Sequence, residues 1–132
     1  MDCALTDALA PFSQDAASLS RSSARWVRQV QRHLRDQVVD GQDTVRMAEV
    51  AADLGVHPVY LARAFRKHLG VSPTAYVRAV QLDKAVALLM QNRMPLLEIA
   101  LECLYFDQAH MAHAFKAAYG LSPLAFRARK LQ

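Results

Sequence analysis

The sequence predicts an all-α protein of about seven helices, built as two helix-turn-helix subdomains joined by a long linker helix. Three observations predict it. A thirteen-residue stretch recurs fifty positions later: Ala64-Phe65-Arg66-Lys67-His68-Leu69-Gly70-Val71-Ser72-Pro73-Thr74-Ala75-Tyr76 is echoed by the run from Ala114-Phe115-Lys116 through Gly120-Leu121-Ser122-Pro123 to Phe126. A self-match at fixed spacing marks a repeated structural unit. Apolar residues return at helical intervals throughout, and no stretch alternates credibly as a strand. Each copy also carries its own punctuation. Glycine stops a helix in the left-handed conformation, serine caps the next helix, and proline fills its first turn, where a missing N–H is harmless.

The first helix is expected from Ser23 or Ala24, where Trp26, Val30, Leu34 and Val38 are spaced by four with Val27 beside them. That stripe faces a core, and Arg25, Arg28, Arg32 and Arg35 occupy the opposite side. Residues 1–23, with Pro11 and a serine-rich run, are read as a leader or linker, or as the stub of a preceding domain. Thr44 to Leu54 forms the second helix, with Met47, Val50, Ala51 and Leu54 on one face. Gly55-Val56-His57 then turns the chain into a third helix, Pro58 to Leu69. Two helices joined by a short Gly-containing turn form a helix-turn-helix, whose second helix is the one that enters a DNA major groove.

Thr74 to about Gln91 makes the linker helix, broken by Asn92-Arg93-Met94-Pro95. Leu96 to Cys103 repeats the second helix and Asp107 to Tyr119 the third, with one extra residue in the turn between them. A last helix follows Pro123. The expected subdomains are therefore residues 24–73 and 92–132, with the linker helix over 74–91. Such a connector spans roughly 27 Å at ~1.5 Å per residue, against ~34 Å for one turn of B-DNA.

Composition narrows the function classes. The 132 residues carry a net charge of +4, unevenly spread. Residues 1–20 hold Asp2, Asp7 and Asp15 and no base, so the remainder stands at +7 and suits a polyanionic partner. The chain lacks an apolar run near ~18 residues, so no membrane span is expected, and no signal peptide is evident, which places it in the cytoplasm. Cys3 and Cys103 lie too far apart to suggest a disulfide and agree with a reducing compartment. No Gly-rich phosphate loop, nucleophile elbow or carboxylate cluster is present, so no enzyme activity, catalytic residue or cofactor is assigned. A metal site made of His110, His113 and Cys103 is weighed and set aside for want of a fourth ligand.

From about Ala24 to Arg129 the chain resembles the DNA-binding domain of AraC/XylS-type bacterial transcription regulators. The resemblance rests on Ile99-Ala100-Leu101-Glu102-Cys103, Asp107-Gln108, Ala114-Phe115-Lys116, Gly120-Leu121-Ser122-Pro123 and Phe126-Arg127. It implies sequence-specific binding of double-stranded DNA by two recognition helices, 58–69 and 107–119, in successive major-groove segments. Base contacts then fall on Val59, Ala62 and Arg63 in the first unit and on Gln108, Ala109, Ala112 and His113 in the second. Arg66, Lys67 and Lys116 meet phosphates. The residues agree independently: Leu61, Ala64, Phe65 and Leu69 take the inner face and leave 59, 62, 63 and 66 outward. Arg63 is the strongest candidate for direct readout, since its fork matches guanine O6 and N7.

The resemblance also implies RNA polymerase as a further partner, faced by the region of Glu49 and Glu98. In longer members an effector-binding or dimerisation domain precedes this one, and it is absent from this chain. The second unit departs from the pattern. Leu104 stands where glycine is usual, His113 where arginine is common, and Ala109 where a polar residue is common. A left-handed leucine costs roughly 1–2 kcal/mol, so the turn is expected to be reshaped, and the first unit to contribute more affinity. The competing reading is a helical protein-interaction module with degenerate DNA binding.

Overall fold

The computed structural model describes residues 16–41, 46–91 and 93–130, with side chains from Ser23 onward. These residues form seven helices and no strand: α1 (Ala16–Asp40), α2 (Met47–Leu54), α3 (Pro58–Leu69), α4 (Pro73–Gln91), α5 (Leu96–Glu102), α6 (Gln108–Tyr119) and α7 (Pro123–Lys130). Among them no helix is long and apolar enough to cross a membrane.

Two helix starts differ from the sequence reading by more than one residue. The helix expected from Ser23 or Ala24 already runs from Ala16. Neither glycine nor proline falls between Pro11 and Gly41, so serine's weak helix propensity alone was not enough to stop it. Residues 1–15 of the expected leader lie outside the described residues. The second helix begins at Met47 rather than Thr44, because Arg46 is extended at φ −121° and ψ 107°. The Arg46 carbonyl accepts the first helical N–H groups, from Glu49 at 3.1 Å and Val50 at 3.2 Å. Thr44 itself lies outside the described residues.

The chain divides inside two of its helices. One compact unit takes Met1–Leu34 and Val45–Tyr76, and the other takes Arg35–Thr44 and Val77–Gln132. In the first, Val27, Val30 and Leu34 of α1, Val50 and Ala51 of α2, and Leu61, Ala64 and Phe65 of α3 are buried. Trp26 is not in that core but half-buried at its edge, its ring 5.9 Å from that of Tyr60. In the second, Ala85, Leu89, Ile99, Ala100, Cys103, Tyr105, Met111 and Phe115 form one apolar cluster. Phe126 closes on Phe115 edge to face at 5.3 Å.

The repeat reappears as repeated hydrogen bonds. Ser72 Oγ accepts from the Ala75 N–H at 3.1 Å, and Ser122 Oγ accepts from the Ala125 N–H at 3.1 Å. The Gly70 N–H donates to the Arg66 carbonyl at 2.8 Å, and the Gly120 N–H donates to the Lys116 carbonyl at the same distance.

The second unit also secures the end of α1. The Lys84 ammonium donates to the carbonyls of Val38 (2.9 Å) and Val39 (2.9 Å) in the last turn of α1 and of Glu102 (2.8 Å) at the end of α5. A helix end leaves its last carbonyls short of internal partners, and of these three the Val38 carbonyl also accepts from the Gly41 N–H at 3.1 Å. A cation there also suits the negative end of each helix dipole.

Candidate nucleic-acid interface

Each candidate recognition helix is positioned by a tight turn. Between α2 and α3, Gly55 takes φ +74°, the Gly55 N–H donates to Ala52 O at 3.0 Å, and the Val56 N–H donates to Ala51 O at 3.0 Å. Between α5 and α6, Leu104 takes φ +66°, its N–H donates to Leu101 O at 3.1 Å, and the Tyr105 N–H donates to Ala100 O at 2.9 Å. The expected reshaping does not occur. Leucine occupies the left-handed position itself, and the same two bonds close the turn. Gln81 of α4 helps hold it there, since its side-chain amide donates to Cys103 O at 3.0 Å and Leu104 O at 3.1 Å.

Histidines begin both recognition helices. His57 Nδ1 accepts from the Val59 N–H at 3.1 Å, capping α3. At α6, Asp107 Oδ1 accepts from the His110 N–H at 2.8 Å, while His110 Nδ1 accepts from the Phe106 N–H at 3.1 Å. Both bonds place the neutral imidazole's proton on Nε2. His110 is therefore a capping residue, and its ring packs edge-on against Tyr105 at 5.2 Å. Cys103 is wholly buried, with its thiol pushed up to about 11 by burial. Among the described residues no group of three His, Cys, Asp or Glu could hold a metal.

On α3, Val59, Ala62, Arg63, Arg66 and Lys67 are exposed, opposite the buried Leu61, Ala64 and Phe65. On α6, Gln108, Ala109, His113 and Lys116 are exposed, Met111 and Phe115 are buried, and Ala112 is only partly exposed at the edge of the face. Tyr119 is 42% exposed although its ring meets Phe115 at 4.7 Å. Arg63, Arg66, Lys67 and Lys116 have no carboxylate partner among the described residues, where the ion pairs are Arg46–Glu49 and Lys84–Glu102. The first face thus carries three uncompensated cations and the second one.

Phe106 is a surface residue that sequence reasoning missed. It stands immediately before the α6 cap and is 85% exposed, with its N–H tied to His110. Its signal was available, because the second turn holds one residue more than the first. Glu49 and Glu98 lie in the first turns of α2 and α5, both exposed, where a carboxylate suits the helix dipole.

Comparison with known proteins follows the same lines. A helix-turn-helix domain family model matches residues 50–129. Over 65 residues the chain is 42% identical to an uncharacterized HTH-type transcriptional regulator of Haemophilus influenzae, covering 49% of this chain and 22% of that protein. Among solved structures, the C-terminal domain of AraT, a response regulator from Geobacillus stearothermophilus, matches with a TM-score of 0.72 and 31% identity, covering 78% of this chain and 84% of that one. The DNA-binding domain of AdpA, a global transcriptional factor solved in complex with a target DNA, gives 0.71 at 20% identity over 78% of this chain and 90% of its own, a likeness of fold. The chain spans about a fifth to a third of the length of the curated relatives it matches first.

Proposed function

We propose how this chain, which belongs to the AraC/XylS-type family of helix-turn-helix transcription regulators, engages DNA: α3 and α6 each enter a stretch of major groove and read its sequence. The observation that carries this reading is the duplicated turn. Two helix pairs are closed by matching hydrogen bonds, and each leaves the outer face of its second helix uncovered. Exposed small residues there (Ala62, Ala109) let the backbone approach base edges closely. Longer polar residues beside them (Arg63, Gln108) supply the donors that bases distinguish.

Arg63 is assigned to guanine O6 and N7, and Gln108 to adenine N6 and N7. Val59, Ala62, Ala109 and Ala112 meet thymine methyls or permit close approach, and His113 offers a further base contact. Arg66, Lys67 and Lys116 lie on phosphates, which set position and register without reading sequence. The first unit, with three uncompensated cations on its recognition face, supplies more of the affinity. A protein-interaction module is the weaker reading, because both turns are intact and both faces are open. Contact with RNA polymerase by the exposed faces of Glu49 and Glu98, and action in the cytoplasm, belong to the same proposal.

Selection of bound sequences from random duplexes tests it. The expected result is a recovered site with two preferred segments. Recovery of no common sequence would end the assignment. Two variants then separate the roles. Arg63→Ala relaxes preference at one base position at a cost of about 1–3 kcal/mol, whereas Lys116→Ala weakens all sequences alike and lowers the salt slope by about one.

A further inference from the structure

The arginine face of α1 has no part in the reading above. In the first unit, Val27, Val30 and Leu34 occupy the buried side of α1, and Arg25, Arg28 and Arg32 follow one another at steps of three and four on the exposed side. Two side-chain contacts join this part of α1 to α3. Ser23 Oγ lies 3.2 Å from His68 Nε2, near the end of α3. The Trp26 ring lies 5.9 Å from the Tyr60 ring, near its start. Trp26, half-buried, lies at the border between the core side of α1 and its arginine side.

Tyr60 stands at the matching border of α3. Arg63 and Lys67 follow it by three and seven residues, so all three lie along one flank of that helix. The aromatic pair thus joins two rows of positive charge, one on each helix. All five cations are exposed, and none has a carboxylate partner among the described residues. Like charges at three- and four-residue steps work against a helix. A face that only needed solvation would intersperse acids, yet the first one after Ser23 is Asp36. The side chains are also arginines, whose planar fork fits phosphate oxygens in pairs.

We propose that Arg25, Arg28 and Arg32 grip the phosphates of the duplex beside the segment that α3 reads, making the interface of the first unit two helices wide. This rests on α3 binding DNA. The occupant follows from charge and from continuity with Arg63 and Lys67.

The test uses the full chain and a duplex bearing its selected site, with affinity measured from 50 to 200 mM salt and folding checked by circular dichroism. Each phosphate contact contributes about 0.9 to the slope of log affinity against log salt. The variant Arg25→Ala/Arg28→Ala/Arg32→Ala is expected to lower that slope by roughly two to three while leaving base preference unchanged. The corresponding triple lysine variant keeps most of the slope, because charge is retained. A folded alanine variant with the wild-type slope overturns the proposal and leaves α3 as reader untouched. An equal loss in the lysine variant also overturns it, since that marks a role in folding. Wild-type binding with no salt dependence would remove the DNA reading and this inference together.

Discussion

Leu104 and Gly55 do the same backbone task with different chemistry. Glycine reaches φ +74° without penalty and leucine holds φ +66°, at a cost of roughly 1–2 kcal/mol. The leucine turn is braced by two hydrogen bonds from Gln81, whereas a Cβ on Gly55 would meet nothing within 4 Å. Gly55→Ala should therefore cost about 1 kcal/mol from the backbone alone, measured by urea denaturation. Gly41→Ala should cost more. Its φ is +63°, and the new Cβ would stand 3.0 Å from Glu102 O and 3.1 Å from Lys84 Nζ. The glycine stops and Ser-Pro starts were legible in the sequence because their chemistry is local. The rescue of Leu104 was not, because Gln81 lies 23 residues away and only tertiary packing brings it to the turn.

Among the helices, periodicity identified every element and misplaced some ends. The third helix matches its expected span, since Pro58 and Gly70 fix both ends. The first was expected too short, because a serine run discourages a helix without forbidding it. Trp26 shows a second limit. Its spacing placed it with Val30 and Leu34, but position alone does not separate the middle of a buried stripe from its edge. Lys84 shows what a partly buried cation contributes at the helix ends. Its side chain is 14% exposed and serves three helix-end carbonyls. Lys84→Met should destabilise the second unit by about 1–3 kcal/mol, because those carbonyls lose a charged donor. Thermal unfolding checks it, and a variant as stable as wild type would show that water replaces the lysine freely.

Taken whole, the molecule is two compact units with unlike recognition faces, and the outward residues of both helices were legible once the buried apolar stripe was identified. Ala112, half-covered at the edge, and Phe106, left outside by the extra turn residue, were not. The second unit also carries a pH signature. Burial raises the Cys103 thiol to about 11 and raises the Tyr105 hydroxyl as well. A raised acid favours the folded state while it stays neutral, so this stability is complete below about pH 9 and is lost as pH climbs toward 11. Melting temperatures should fall over that interval, and fall less steeply in Cys103→Ala. The same burial keeps Cys103 protonated and out of reach of sulfhydryl reagents near neutral pH. In a Cys3→Ser background the remaining thiol becomes an internal clock. Its alkylation rate counts how often the second half of the molecule breathes, and the first half, then free of cysteine, contributes nothing to the signal.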